Sequence, residues 1–144
     1  MRPSINLDPV SVQKTIRSLD QFDRDVRNKV WQLMYSAGQR IRGQAVRRAP
    51  VGVTAGLKTG MKLDYDKEKM EVEVWNPWEY APFVEFGTGT KVSVPPGYDE
   101  FAMQFYRGPG HNQKAQPFLI PPFEDETAKV IKMIDYAIDK ETKR

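Results

Sequence analysis

Apolar residues recur at helical spacing through the first third of the chain. They stand three, four or seven positions apart, which places them on one face of an amphipathic helix. The positions are Val12, Ile16, Leu19, Val26, Val30, Leu33, Ala37, Ile41 and Ala45. Asp8 and Pro9 provide an N-cap and a first helical residue, and Pro50 stops the helix near Arg48. The pattern predicts helical structure over residues 9–48.

This region reads either as one unbroken helix or as two segments. A polar break lies at residues 18–20, where Ser18 or Asp20 offers a cap for a second segment. A short helix followed by a long one is the favoured arrangement.

After the helix the pattern changes to alternating runs. Two such runs around the polar turn at residues 66–69 predict a β-hairpin over residues 57–76, its first strand running from Leu57 to Tyr65. In the second strand Val72 and Val74 point to the same face. That face needs a cover, and the long helix is the element available to provide it.

Turn-forming residues dominate the next part of the chain. Aromatic, proline and glycine residues over 77–89 predict a rigid, closely packed corner, and residues 90–116 read as an extended loop. An apolar island at residues 101–106 fits either an edge strand or one helical turn capped by Asp99.

Helical spacing returns at the end of the chain. Pro122 is well placed at the start of a helix. Acidic residues follow near this start and basic residues near the end, which suits the helix dipole. The sequence therefore predicts a helix over residues 122–141. The predicted fold is α+β: a long N-terminal amphipathic helix packed on a small antiparallel β-sheet, with a C-terminal helix, in a single domain of residues 1–144.

The composition excludes several kinds of site. The 144 residues include no Cys and a single His, so thiolate metal sites are excluded and a histidine-based metal centre is not expected. No apolar run approaches the roughly 20 residues that a membrane span needs, and the N-terminus lacks the apolar core of a signal peptide. We expect no metal, no cofactor and no membrane partner.

Catalytic candidates are few. His111 lies in a loop rich in glycine, where a solvated imidazole is the favoured interpretation. Glu85 stands between aromatic residues that would bury it, and burial raises the pKa of a carboxyl. No second acid accompanies it, so we expect a structural Glu85 that accepts hydrogen bonds, with a small hydrolase as an alternative.

Basic residues cluster toward the C-terminal end of the long helix. The cluster consists of Arg40, Arg42, Arg47 and Arg48. With a formal net charge of +3, the chain fits either a solvated helix end or a patch for DNA or another anionic partner. A small basic nucleic-acid-binding domain is therefore an alternative function.

Three short motifs follow one another in a specific order. They are RAPV at residues 48–51, YAPFVEFGTG at residues 80–89 and AQPFL at residues 115–119. In this order and spacing the chain resembles the neck, or tail-completion, family of tailed bacteriophages, the minor head-tail joining proteins of lambda-like siphophages and related prophages. The resemblance implies a non-enzymatic structural protein of the virion neck or tail-proximal region, present in the host cytoplasm during assembly.

The resemblance also implies partners. It predicts a homo-oligomeric ring, six-fold or twelve-fold, between head-closure or connector proteins and tail terminator or tail-tube proteins, with non-specific contact with packaged DNA. Aromatic residues of the corner and loop are the candidate interface, together with the acid among them. They are Trp78, Tyr80, Phe83, Glu85, Phe86, Phe101, Phe105, Tyr106 and Phe118.

Overall fold

The computed structural model describes residues 4–6, 24–50, 55–88, 96–105 and 114–142. Its elements in chain order are β1 (Ser4–Asn6), α1 (Arg24–Arg48), α2 (Ala55–Gly60), β2 (Lys62–Asp66), β3 (Glu71–Trp75), α3 (Ala81–Phe86), α4 (Asp99–Met103) and α5 (Ile120–Thr142). Helices combined with one antiparallel sheet confirm the predicted α+β class. The predicted cap at residues 8 and 9 and the predicted break at residues 18–20 lie outside the described residues.

Helix α1 has the apolar face that the sequence predicts. Its buried residues are Val26, Val30, Met34, Ala37, Gly38, Ile41 and Ala45. The helix ends at Arg48 as predicted, and the N–H of Ala49 still donates to the carbonyl of Ala45 at 2.9 Å. Pro50 has no N–H to continue this ladder. The buried face packs on α5 and on the sheet.

The sheet has the strand order β1-β3-β2, with antiparallel pairing throughout. Val72 and Val74 of the central strand are buried against α1, which confirms the predicted cover. The two elements approach closely at Gly38, where an added Cβ would lie 2.5 Å from Cγ1 of Val72. Strand β1 was not predicted, because three residues are too few to show an alternating pattern.

The predicted strand from Leu57 to Tyr65 is wrong over its first part, which is helical. Leu57 lies in the helix and Met61 directly follows it, and both are buried. The side-chain amide of Asn76 donates to the carbonyl of Leu57 at 2.8 Å. This tertiary contact satisfies a carbonyl near the end of the short helix α2, and the strand begins only at Lys62.

The rest of the chain contains more helix than predicted. The corner includes the short helix α3, with Pro82 in its first turn. Residues 101–103 of the apolar island lie in α4, which settles the choice in favour of a helical turn there. Asp99 is the first residue of that helix and not its cap, since Tyr98 holds the cap position. The predicted C-terminal helix is confirmed as α5, from Ile120 to Thr142.

Candidate functional site

The carboxylate of Glu85 joins α3 to the start of α5. Its Oε2 accepts hydrogen bonds from the backbone N–H groups of Phe118 at 2.9 Å and Leu119 at 3.1 Å. Its Oε1 accepts from the N–H of Ile120 at 2.8 Å. The first N–H groups of a helix have no intrahelical partner, so an anionic acceptor stabilises the helix start. Glu85 therefore caps α5 from 33 to 35 residues away along the chain.

The environment of Glu85 is that of a structural carboxylate. The residue is 2% exposed. Burial raises the pKa of its carboxyl, while the three backbone N–H groups and the charge of Arg48 oppose the shift. Both oxygens already accept hydrogen bonds from the backbone, whereas a general acid must reach a substrate. The geometry supports the structural interpretation of Glu85 over the hydrolase alternative.

The segment before α5 also docks along α3. The N–H of Gln116 donates to the carbonyl of Val84 at 2.8 Å. Two residues later Phe118 is fully buried in the main core. The motifs at residues 80–89 and 115–119 thus meet through backbone and side-chain contacts as one structural unit. We call this unit the Glu85 joint.

Four phenylalanine rings form a second, smaller core beside the Glu85 joint. They are Phe83, Phe86, Phe101 and Phe105. Their contacting centroids lie 5.0 to 6.1 Å apart, mostly in the edge-to-face arrangement that aromatic quadrupoles favour. Ala102 of α4 packs with Ile120 in the same core. Residues 98–105 of the predicted extended loop therefore fold back onto the corner.

Trp78 and Tyr80 form an aromatic platform over α2. Their ring centroids lie 5.6 Å apart, and the indole N–H of Trp78 donates to the carbonyl of Gly56 at 2.9 Å. The platform lies close because α2 carries glycines beneath it. A Cβ at Gly60 would lie 2.7 Å from Nε1 of Trp78, and one at Gly56 would lie 2.9 Å from the hydroxyl of Tyr80.

The predicted interface residues divide by accessibility. Glu85, Phe86 and Phe118 are buried within the single chain. Trp78 is 47% exposed, and the remaining candidates are partly exposed. These are Tyr80, Phe83, Phe101 and Phe105. Tyr106 lies outside the described residues. The buried residues can support an assembly surface but cannot touch another protein. Direct contact with another protein is open only to the accessible aromatic rings.

Two of the four candidate arginines interact with buried carboxylates. Nε of Arg40 donates to Oε2 of Glu126 at 2.9 Å, which joins α1 to α5, and Nε2 of Gln44 donates to Oε1 at 3.0 Å. Burial raises the pKa of Glu126, but these hydrogen bonds and the neighbouring positive charges outweigh it and lower the pKa below its ordinary value. Arg48 lies near enough to Glu85 for its charge to favour the carboxylate.

The other two arginines line an open cleft between α1 and the segment formed by α2 and β2. Nε of Arg42 donates to a backbone carbonyl on the opposite wall at 3.1 Å. Arg47, Lys58 and Lys62 line the same cleft of about 1000 Å³. Asp64 is the one acid among the lining residues that the structure describes, and the basic residues outnumber it, so this lining carries positive charge.

The sequence patterns did not reveal a second concave surface, a groove between α1 and α5. Its volume is about 660 Å³. Met133 and Tyr136 line it and are 44% and 70% exposed. Both residues lie outside the buried face of α5. Large apolar residues at such exposed positions are the sequence signal that could have indicated the groove.

The described residues contain no group of three or more His, Asp or Glu side chains arranged to hold a metal ion. None of the helices in the described part of the chain combines the length and apolarity that a membrane crossing requires. His111 lies outside the described residues.

Comparison with known proteins identifies the family. Residues 13–87, which are 75 of the 144 residues, match the HK97-gp10-like family model, described as "Bacteriophage HK97-gp10, putative tail-component". The chain matches no curated protein and no solved structure at a significant level. The matched region runs from the predicted N-terminal helix to the Gly87 end of α3 and includes the platform and Glu85. The chain therefore belongs to the HK97-gp10-like family of bacteriophage tail components.

Proposed function

We propose that this protein is a neck or tail-completion subunit, which forms an oligomeric ring between the portal connector of the DNA-filled head and the tail. Membership of a bacteriophage tail-component family supports a structural role in the virion. The observation that carries the proposal is the Glu85 joint, where a buried charge and three backbone hydrogen bonds fix two distant motifs together. A buried contact of this kind fixes the shape of a subunit, which suits a structural role rather than catalysis.

The proposed role is non-enzymatic and depends on surfaces. The aromatic platform of Trp78 and Tyr80 and the partly exposed rings beside the joint supply the apolar contact area that protein interfaces use. Six or twelve copies form the ring, and its two faces meet head-closure or connector proteins on one side and tail terminator or tail-tube proteins on the other. The subunit is made in the host cytoplasm and ends in the virion.

Deletion of the gene from the phage tests this function. The expected result is an accumulation of separate DNA-filled heads and finished tails in electron micrographs, because each half assembles but the joint between them is missing. A plasmid-borne wild-type copy is the control and restores complete virions. Normal virions from the deletion strain would remove the proposal.

A second candidate function is non-specific binding of DNA through the positively charged cleft. Arg47, Lys58 and Lys62 line it and can meet phosphates without reading sequence. Such binding weakens as salt rises, and each lost phosphate contact lowers the slope of log K against log salt by about 0.9. The variant Arg47→Gln with Lys62→Gln should flatten the slope by about two such steps. Absence of binding at low salt would exclude this candidate.

A further inference from the structure

The groove between α1 and α5 has an apolar floor and a basic rim. Val26 and Leu33 of α1 line it together with the exposed Tyr136 of α5. Lys29 and Lys132 stand on its two walls, one from each helix, and Lys140 stands at its end. Asp25 is the one acid among the described residues that line it. A complementary surface therefore needs an apolar projection flanked by carboxylates.

The outer face of the sheet supplies the carboxylates. In the register of β2 and β3, Asp64 stands opposite Glu73 and Asp66 opposite Glu71. Trp75 donates to Asp64 at 2.7 Å, and the ammonium of Lys69 lies 4.0 Å from Asp66. All four carboxylates border one small concavity, and Lys69 is the one lysine among its described lining residues, so this face keeps a negative balance of charge.

An exposed aromatic ring stands at the edge of this acidic face. Tyr65 of the edge strand β2 borders the same concavity and is 62% exposed. Its ring centroid lies 5.9 Å from that of Trp31 and 5.3 Å from that of Tyr35, so α1 holds one side of the ring while the other meets solvent. Successive side chains of a strand point to opposite faces, so the Tyr65 ring lies on the α1 side of β2 and Asp64 and Asp66 lie on the outer side. The ring and the carboxylates therefore meet along the exposed edge of β2, which offers the groove both an apolar projection and negative charge.

The two surfaces lie on opposite flanks of α1. Lys29 and Leu33 line the groove, whereas Trp31, two residues from each, packs against Tyr65. Residues two apart on an α-helix are separated by about 200° around its axis. A chain bound through its groove therefore still presents its acidic face to a further chain.

We propose that the β2 edge of one copy docks on the lysine-rimmed groove of a second copy, with Tyr65 on the apolar floor and the carboxylates of the outer sheet face toward the lysines of the rim. This contact is head-to-tail, and contacts of this kind close into a ring when the rotation between copies fits. The inference rests on the ring proposed above and names the surfaces that form it.

Charge reversal in the full-length chain tests the contact. The groove variant carries Lys29→Glu with Lys132→Glu, and the sheet variant carries Asp66→Lys with Glu71→Lys. Sedimentation velocity and native mass spectrometry over a range of concentrations report the oligomeric state, and thermal unfolding confirms that each variant folds. Each variant alone should associate about a hundredfold more weakly than wild type, because like charges then face each other.

The decisive measurement is the oligomeric state of a mixture of the two variants. The acidic groove of one variant then meets the basic sheet of the other, and the basic groove of the second meets the acidic sheet of the first, so mixed oligomers should form. The control variant carries Lys114→Glu, which reverses a charge outside both surfaces and outside the basic cleft and should associate like wild type.

Several results would overturn the contact. Unchanged assembly of the reversed variants, equal weakening of the control, or no recovery on mixing would each do so. A groove filled from within the same chain, or by an acidic partner of another sequence, would leave the isolated wild-type chain monomeric and would also overturn it. If the charge-reversed variants still form rings, only this contact is refuted. Normal virions after gene deletion would refute the proposed function.

Discussion

Replacing Glu85 with Gln tests whether the Glu85 joint holds the fold together. The substitution keeps the shape of the side chain but turns one acceptor oxygen into an NH₂ donor. In the better orientation the remaining oxygen still accepts from Phe118 and Leu119, and the NH₂ group faces the N–H of Ile120. At least one buried donor therefore loses its partner.

The magnitude follows from this hydrogen-bond count. A hydrogen bond to a charged acceptor contributes about 1.5–3 kcal/mol, and a buried donor without a partner costs about 1–3 kcal/mol. Burial raises the pKa of Glu85, which means that the buried charge is itself unfavourable, and removing it offsets part of the loss. We expect Glu85→Gln to lower the free energy of unfolding by about 2 kcal/mol, or the melting temperature by about 4–8 °C.

Glu85→Ala should cost more, because all three N–H groups lose their acceptor and a cavity opens. We expect a loss of about 4 kcal/mol. The matched control is Glu79→Gln, which removes an exposed carboxylate just before α3 and should change stability by less than about 0.5 kcal/mol. The expected order of stability is wild type and the control first, then the Gln variant, then the Ala variant.

Two measurements check these values. Urea unfolding followed by circular dichroism gives the free energies, and hydrogen exchange reports the amides of Phe118, Leu119 and Ile120 directly. In wild type these three amides should be protected, and in the Gln variant the amide of Ile120 should exchange faster. A Gln variant as stable as wild type, with unchanged exchange at all three amides, would refute the reasoning.

Two further predictions concern packing and acid sensitivity. Gly38→Ala forces a Cβ against Val72 and should lower the free energy of unfolding by about 1 kcal/mol. A Cβ at Gly43 would meet its nearest neighbour, the guanidinium of Arg47, at 3.8 Å, so Gly43→Ala should raise the free energy of unfolding by up to about 1 kcal/mol. Urea unfolding measures both values. The equal response of both variants would contradict this. The pKa of Glu126 in the folded protein lies below its ordinary value of 4.5. The ionised carboxylate therefore contributes to the free energy of unfolding above about pH 4.5, and this contribution is lost as the pH falls through the folded pKa. The stability gap between wild type and Glu126→Gln should therefore close in acid, and a gap independent of pH would argue against it.

Long elements with clear periodicity could be predicted from the sequence. The end of α1 and the whole of α5 agree with prediction to within two residues, because each carries a continuous apolar stripe and ends at strong local signals. The short helix α2 could not be assigned in this way. Leu57 and Met61 also fit an alternating pattern, and the hydrogen bonds that hold the helix come from Asn76 and Trp78.

Functional surfaces were harder to predict, because they depend on which elements become neighbours. The four arginines look like one patch in the sequence, yet Arg40 pairs with Glu126 on α5 while Arg42 faces the cleft toward β2. The basic groove draws its lysines from helices that are about a hundred residues apart, Lys29 from α1 and Lys132 from α5. No local pattern connects such positions.

The long-range cap at α5 links the aromatic corner to the proposed assembly surface. Phe118 and Leu119 precede α5 and are apolar, so neither can cap it, and the helix start depends on Glu85. The same helix supplies one wall of the groove through Lys132 and is fixed to α1 farther along by Glu126. Loss of the Glu85 carboxylate can reach the groove only through the body of α5, past the contact between Arg40 and Glu126. Association between copies of Glu85→Gln, measured by sedimentation velocity, should therefore weaken less than that of the groove variant.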